Sequence, residues 1–436
     1  MLTAFARAFK TPDLRKKLLF TLAIMVVFRM GAHIPVPGVN YAGVQSCLTS
    51  LNKSGGNQLL GLVNLFSGGA LLQITIFALG IMPYITSSII LQLLTVVIPR
   101  LDALKKEGQA GTAKITQYTR YLTIALAILQ ATAISATAQS GALFGGACNG
   151  NTVVPNQSVF TVATMVITMT AGTTVIMWLG ELITDRGIGN GMSILIFTSV
   201  AAQFPSQLWS IKASKGWLTF AFVIVMGLAM VGLVVFVEQA QRRIPVQYAK
   251  RMIGRRAYGG TSTYIPLKVN QAGVIPVIFA SSLLYIPALV VQLSSKTNSG
   301  WGQWVTNNLT KSDHPLYMVL YFVLIVFFAF FYVAISFNPE EVADNMKKYG
   351  GFIPGIRAGR PTAEYLNYVL TRITWPGSLY LGLIALVPLI ALGLFKSSSN
   401  FPFGGTSILI VVGVGLETVK QIESQLQQRN YEGFLR

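Results

Sequence analysis

The sequence predicts an all-α integral membrane protein with ten transmembrane helices, and composition, run length and periodicity support that prediction. Of the 436 residues, 53% are hydrophobic and 11% are charged, whereas a soluble domain carries about 25% charged residues. The apolar runs have about the 20 residues that a helix needs to cross the hydrocarbon core. They do not alternate as barrel strands do. We therefore expect helices, which satisfy their own backbone hydrogen bonds in lipid.

The apolar runs follow one another along the chain, with one shorter run among them. The stretch 59–72 is too short to cross, and runs of that length are more often re-entrant. The first run follows a basic N-terminus but continues as a full span with no small-residue cleavage site, so we expect it to be retained. The predicted spans are 18–36, 74–98, 118–140, 157–179, 188–204, 217–238, 273–293, 316–337, 373–395 and 404–422.

Basic residues are concentrated on alternate connections. Most of the 33 Lys and Arg residues fall in the two tails and in the second, fourth, sixth and eighth connections. The positive-inside rule then places both termini in the cytoplasm. Arg29 lies near the outer end of the first span, where we expect its side chain to reach outward to the interface.

The two cysteines both fall in connections assigned to the outside. Cys47 and Cys148 thus lie where a disulfide is permitted. The sequence gives no distance between them, and two unpaired cysteines are the simpler expectation.

Two spans at corresponding positions share a proline motif. Residues 80–85 read GIMPYI and residues 273–278 read GVIPVI. Under the predicted topology these spans run in opposite directions, so the chain divides into two inverted halves of five spans. Proline-broken helices at matching positions of inverted halves mark the functional centre of many transport proteins, although two unrelated proline kinks would look the same. The predicted divisions are 1–204, an external hinge connection 205–216, 217–424, and a cytoplasmic tail 425–436.

Chemistry that an enzyme or a coupled carrier needs is missing from the spans. No carboxylate lies in the middle of a span, whereas proton- or ion-coupled carriers usually place ionisable groups there. No phosphate-binding loop, zinc-protease motif or nucleophile elbow occurs. We therefore expect no catalytic site, no metal and no cofactor. A small-solute secondary transporter is the alternative that the inverted halves suggest, and a scaffold or insertase without a pore is the third.

Five separated motifs run along nearly the whole chain. They are 66–70 (FSGGA), 74–94 (ITIFALGIMPYITSSIILQLL), 178–197 (WLGELITDRGIGNGMSILIF), 267–276 (LKVNQAGVIP) and 352–357 (FIPGIR). In this order they resemble the SecY family of protein-conducting channels. The resemblance implies a clamshell of ten helices around a central pore, through which unfolded polypeptides cross the membrane or leave sideways into lipid.

The resemblance also implies a ring of aliphatic side chains at the narrowest point of the pore. Such a ring suits a channel for many sequences, and apolar constrictions block ions by dewetting. A single isoleucine would be read as packing core, but six occupy positions that match the family. Ile408 is the alternative to the last of them. The predicted ring is Ile81, Ile85, Ile188, Ile194, Ile278 and Ile410.

Two further devices follow from the resemblance. The segment 59–72 matches the family's plug, in which glycines allow a break and a swing; an ordinary external loop is the alternative. The lateral gate would be held by interhelical polar contacts, which average about 0.6 kcal/mol, although each could be routine helix contact. The predicted plug residues are Asn64, Leu65, Phe66, Ser67, Gly68 and Gly69, and the gate residues are Gln92, Gln130, Ser281 and Ser282.

Two long cytoplasmic loops complete the predicted site. Loop 239–268 is strongly basic and would attract anionic lipid or ribosomal RNA, whereas loop 338–368 mixes both signs and suits a protein partner. The resemblance implies SecE and SecG as subunits, the motor ATPase SecA, the ribosome, precursors with signal sequences, and the bilayer of a bacterial cytoplasmic membrane. The predicted docking residues are Arg242, Arg243, Lys250, Arg251, Arg255, Arg256 and Arg357.

Overall fold

The computed structural model describes residues 9–54, 67–144, 150–156, 158–248, 251–253, 256–258, 262–293, 300–309, 314–395 and 405–434. Helices make up most of this part of the chain, and every predicted span contains one. They are α1 Pro12–Gly31, α2 Tyr41–Ser54, α3 Met82–Val97, α4 Pro99–Lys106, α5 Gln109–Gln139, α6 Gly150–Val153, α7 Val159–Arg186, α8 Gly191–Ala201, α9 Phe204–Gln239, α10 Ile275–Leu293, α11 Gly300–Asn308, α12 Pro315–Ser336, α13 Pro339–Lys348, α14 Arg360–Phe395 and α15 Gly405–Phe434.

Several of these helices can cross a membrane. Across the described ranges, six are long and apolar enough by length and composition, and the number rises to seven if α3 and α4, bent by 100°, form one span. Helix α10 adds the shorter apolar stretch Ile275–Leu284. The chain is therefore a multi-span membrane protein. The six are Gln109–Gln139, Val159–Arg186, Gly191–Ala213, Gly216–Gln239, Pro315–Lys348 and Arg360–Val387.

The second span begins later than predicted. Residues 67–81 form successive turns with one isolated bridge, and the helix starts only at Met82. Gly80 has a φ of +57°, a left-handed conformation that glycine accepts without steric cost. Pro83 lies in the first helical turn, where its missing N–H removes no helical hydrogen bond. The shared proline motif therefore marks the start of a helix here, rather than a kink within one.

The predicted connection 205–216 is helical in the structure. Helix α9 includes it and continues to Gln239, with a break at Gly216, where φ is +82°. Beside the break, the Lys212 ammonium lies 4.7 Å from the ring of Trp209 and 5.0 Å from that of Trp217. Tryptophan and lysine together are typical of a membrane interface.

A small sheet joins the two long loops, and the sequence did not predict it. Strands β1 Gln241–Tyr248, β4 Ser262–Lys268 and β5 Gly351–Phe352 form an antiparallel sheet in the order β4-β1-β5. Strands β2 Arg251–Ile253 and β3 Arg256–Tyr258 pair with each other. In β1, Ile244 and Val246 are buried between exposed neighbours, the period of two that a half-buried strand shows. Loops 239–268 and 338–368 therefore form one folded unit.

Buried side chains fall into three main clusters. One draws on residues 36–169 and another on residues 234–412. The third, called here the central cluster, combines residues 24–200 with Ile278 and Ile410 from the second part of the chain. Of the three, only this cluster contains side chains from both predicted halves of the chain, 1–204 and 217–424.

Cys47 is disulfide-bonded and fully buried. The sequence holds one other cysteine, Cys148, which lies outside the described residues. The expectation of two unpaired cysteines is therefore wrong, because the sequence carried no distance between Cys47 and a partner.

Replacing Cys47 with serine should lower the free energy of unfolding by about 2–4 kcal/mol, because the disulfide restricts the unfolded chain. Thermal melting of the detergent-solubilised protein measures the loss. Reductant should lower the Tm of the unmodified chain by about as much as the Cys47→Ser substitution does. It should leave the Tm of the Cys47→Ser variant unchanged. An equal response of both proteins to reductant would contradict the disulfide.

Candidate functional site

The structure brings five of the six predicted ring residues together. Ile81, Ile194, Ile278 and Ile410 are buried in the central cluster, and the half-buried Ile85 packs against it. They come from the segment before α3 and from α3, α8, α10 and α15. These five side chains have no hydrogen-bonding group, so they offer neither ions nor peptides a polar contact.

Ile188 is the exception among the predicted ring residues. It packs with Leu14 and Ile422 in a separate cluster, and its N–H donates to Thr21 Oγ1 at 3.3 Å. The reason is local: Ile188 precedes α8, in a turn where Gly189 has a φ of +86°. The structure therefore places Ile188 in a different packing cluster from the other five predicted ring residues, and its place in a ring stays a prediction.

Helix α8 contributes two side chains that the sequence analysis did not single out. Met192 and Ile196 both belong to or pack against the central cluster and both line a cavity together with Ile278. Residues four apart share one face of a helix, so this spacing in the motif 191–197 was the signal that could have found them. Ile194 lies in the cluster but not among the residues lining that cavity.

The structure separates the two candidates on α15. Ile410 lies in the central cluster, and it lines the same cavity as Ile278 and Ile196. Ile408 is buried in the cluster formed by residues 234–412. Two residues along a helix turn the side chain by about 200°, which places them on different faces. Ile410, not Ile408, is the α15 residue in the candidate ring.

Two cavities, of about 310 and 530 Å³, adjoin the central cluster. Both are lined by Asn190, Ser193, Ile196, Ile278 and Tyr332 among others, so they are neighbours, and together they are called here the vestibule. Its walls also carry charges of both signs. These are Glu238, Lys268, Glu417 and Lys420 in the smaller cavity, and Arg120, Glu181 and Asp185 in the larger.

One of these charges is fixed by a two-point ion pair. Arg120 donates from Nε to Glu181 Oε1 and from Nη2 to Glu181 Oε2, each at 2.8 Å. The pair joins α5 to α7, and this fork geometry is the strong form of an arginine–carboxylate contact. The vestibule is thus lined by charged and polar side chains and adjoins the apolar central cluster.

The described part of the plug segment lies against α1 and α8. Asn64, Leu65 and Phe66 are outside the described residues, whereas Ser67 is buried and its Oγ accepts from Leu71 N at 3.1 Å. Gly68 and Gly69 have φ values of +69° and +92°. A Cβ on Gly68 would lie 3.3 Å from Ser199 Cα. The glycines therefore permit both a sharp turn and a close approach.

Arg29 makes the polar contact that holds this turn. Its Nη1 donates to the Gly68 carbonyl oxygen at 2.9 Å, and its side chain is half-buried. The expectation that Arg29 reaches outward to the interface is therefore wrong. The carbonyls of a tight turn lack helical partners, and a guanidinium satisfies them well.

The predicted gate residues are on α3, α5 and α10, and α10 meets both α3 and α5 along a seam. Gln92 lines the larger vestibule cavity and a further cavity of about 400 Å³. Ser281 Oγ donates to the Ile278 carbonyl at 2.9 Å. The buried Ser282 Oγ has no hydrogen-bond partner among the described residues. Gln130 is half-buried on α5. No hydrogen bond across the seam involves these four side chains in the described structure, so it is held by packing.

The predicted docking residues that the structure describes lie on β1, on the separate β2–β3 pair and in the turn after β5. Arg242 and Arg243 on β1 are exposed, and the Arg243 guanidinium lies 4.8 Å from the ring of Tyr264 on β4. Arg357 is exposed in the turn that follows β5. Since β5 pairs with β1, both loops contribute to one surface. Arg251 and Arg256 lie on β2 and β3, while Lys250 and Arg255 are outside the described residues.

Solved structures share this fold. A structure described as "The structure of a protein conducting channel" matches with a TM-score of 0.62 at 18% identity, covering 94% of this chain and 91% of that one. Sec61 in the canine ribosome-channel complex matches with a TM-score of 0.58 at 16% identity, with the same coverage. The predicted fold class, ten helices in a clamshell, is confirmed.

Sequence comparisons identify the family. The SecY family model matches residues 75–419. The protein translocase subunit SecY of Streptomyces galbus is 79% identical over the full length of both chains, and that of Mycobacterium bovis is 59% identical, also over both full lengths. The resemblance that the five motifs indicated is confirmed, and the chain belongs to the SecY family of protein translocase subunits.

Proposed function

We propose that this chain is a passive channel that the central cluster and the plug segment close at rest. Membership of the SecY family makes it the pore-forming subunit of a protein translocase. The closing mechanism is supported by one observation above all: an apolar cluster, built from both parts of the chain, adjoins a charged vestibule. Water and ions can fill the vestibule, whereas an apolar constriction excludes them by dewetting.

The same geometry explains how one channel passes many sequences. Branched and thioether side chains give way without leaving a hydrogen bond unmade, so a threading polypeptide meets little chemical selection. Sideways exit uses the seam of α10 with α3 and α5. A hydrophobic segment that enters there replaces packing contacts with its own and needs to break no side-chain hydrogen bond of Gln92, Gln130 or Ser282.

A photoactivatable crosslinker placed at Ile85 or Ile278 should capture a secretory polypeptide stalled during translocation. Ile167 on α7 is the matched control, because its side chain is 67% exposed on the outer surface of the described helices. Capture at the two cluster positions but not at Ile167 is the expected result. Equal capture at all three, or none at Ile85 and Ile278, would refute the pore.

We further infer that the sheet faces the cytoplasm of a bacterium and that both termini lie on that side, as the charge distribution predicts. On this basis SecE and SecG are the companion subunits, and SecA or the ribosome docks on the sheet. Exposed arginines on paired strands suit both, because they bind RNA phosphates and carboxylates with fork geometry. A related fold, Sec61, is described in a ribosome-channel complex.

Reversing two charges should separate docking from the rest of the channel. The double change Arg242→Glu and Arg243→Glu should weaken SecA or ribosome binding by at least about tenfold, since charged interface contacts typically contribute more than about 1.4 kcal/mol together. The effect is measured as the Kd of SecA or of the ribosome for vesicles that contain the reconstituted channel, at two salt concentrations. Lys10→Glu with Lys114→Glu, exposed residues away from the sheet, is the control. Equal weakening by both pairs would show a general charge effect and refute docking on β1.

A further inference from the structure

Strands β1 and β4 form an antiparallel hairpin, called here the basic hairpin. The end at which β1 begins and β4 ends, called its base, lies beside Glu238 and Asn270, neither of which was predicted as a site residue. Strand β1 begins at Gln241, and β4 ends at the residue paired with it, Lys268. Beyond this last pair, Val269 N donates to the Ala240 carbonyl at 3.0 Å. Just outward of that bond, Glu238 and Asn270 are joined by a side-chain hydrogen bond across the base of the hairpin.

Asn270 ties three segments together through one nitrogen. It is buried, with 4% exposure, and its Nδ2 donates to Glu238 Oε1 and, at 3.2 Å, to the Gly273 carbonyl. Glu238 is on the last turn of α9, and Gly273, with a φ of +62°, is in the turn that leads into α10. A bond to a carboxylate is roughly twice as strong as one between neutral groups.

Helix α14 restricts how this base can move. A Cβ on Gly377 would lie 2.3 Å from the Val269 carbonyl oxygen, so the chain beside Asn270 rests directly on the α14 backbone. Contact this close resists translation of the base toward α14. The base is therefore held between α9, α10 and α14.

Helix α10 carries the parts of the pore that must respond. Ile278 in the central cluster and Ser281 and Ser282 at the seam lie within twelve residues of Asn270. We propose that Asn270 is a positioning residue that transmits partner docking on the hairpin to α10, and thereby to the pore and its lateral gate. This inference rests on the proposed function, because it requires a partner that docks on the hairpin.

The test compares docking with opening in the same vesicles. SecA from a Streptomyces and a signal peptide are added to the reconstituted translocase, and SecA affinity and the increase in ion conductance are both measured. Asn270→Ala should leave the Kd within about twofold and reduce the stimulated conductance by about tenfold, within the range of typical coupling between sites. Asn156→Ala, an exposed asparagine in the connection before α7 and outside both long loops, should change neither.

Changes at Glu238 distinguish the hydrogen bond from a structural effect. Glu238→Gln keeps an oxygen that accepts from Asn270 and should retain most of the stimulation, whereas Glu238→Leu should reproduce the loss seen with Asn270→Ala. If Asn270→Ala does not fold, Glu238→Leu provides the test in its place. Full stimulation of the variants that lack the bond, or a Kd that weakens in parallel with the conductance, would overturn the inference. If the unmodified channel does not respond to SecA, the docking proposal fails instead.

Discussion

Replacing Ile278 and Ile410 together with asparagine should raise the ion conductance of the resting channel by about ten- to a hundredfold. Both side chains are buried in the central cluster and both line the vestibule. A buried asparagine side chain without a hydrogen-bond partner costs about 1–3 kcal/mol. Entry of water into the central cluster, where it can hydrogen-bond to the new amides, is therefore favoured. Each reduction of about 1.4 kcal/mol in the barrier to permeation is about tenfold in rate.

Conductance of vesicles without precursor or motor measures this effect directly. Ile278→Val with Ile410→Val keeps branched apolar side chains and should leave conductance within about threefold, since such changes remove a single methylene each. The asparagine variant should also pass precursors with defective signal sequences more readily. An unchanged conductance with a correctly folded asparagine variant would eliminate the central cluster as the seal.

The fold was predictable where the sequence signal is strong and local. Long apolar runs must become helices in lipid, and each predicted span indeed contains one. The sheet was missed because the charges of loop 239–268 conceal a short period of two, in which Ile244 and Val246 on β1 and Ile265 and Leu267 on β4 face the core. The Cys47 disulfide was missed for another reason: a sequence carries no distance between segments that meet only in the folded chain.

The site was predictable where a residue lies on a regular helix. Ile278 and Ile410 were predicted from the family resemblance, with Ile408 as the alternative to Ile410, and the structure places both on helices and in the central cluster. Ile188 lies in a separate cluster because it precedes α8, in the turn at Gly189. Arg29 was misjudged because its acceptor, the Gly68 carbonyl, belongs to a turn whose position no local pattern predicts.

The plug should be displaced by a single change that its turn cannot accommodate. Gly68→Val puts a β-branched residue at a φ of +69° and a Cβ 2.9 Å from Arg29 Nη1. Backbone strain of this kind costs about 1–3 kcal/mol, which corresponds to about a 5- to 150-fold shift between two states. Because the strain exists only while the plug is in place, the shift favours displacement, and resting conductance should rise by a similar factor.

Two further variants separate loss of the plug from general damage. Gly232→Val adds the same side chain on α9, where a Cβ meets nothing within 4 Å, and should not leak. Arg29→Leu removes the donor to Gly68, so its resting conductance should rise. Arg29→Lys retains the charge but not the planar donor geometry, so its resting conductance should lie between those of the unmodified channel and Arg29→Leu. The loop that contains the plug is closed at its base by the bonds from Val36 N to the Ile74 carbonyl and from Ile76 N to the Ile34 carbonyl, at 3.1 and 3.0 Å. None of these variants removes either bond, so a leak caused by the Arg29 and Gly68 changes reports movement of the plug about an intact base. If vesicles with Gly68→Val do not leak, this turn does not seal the channel.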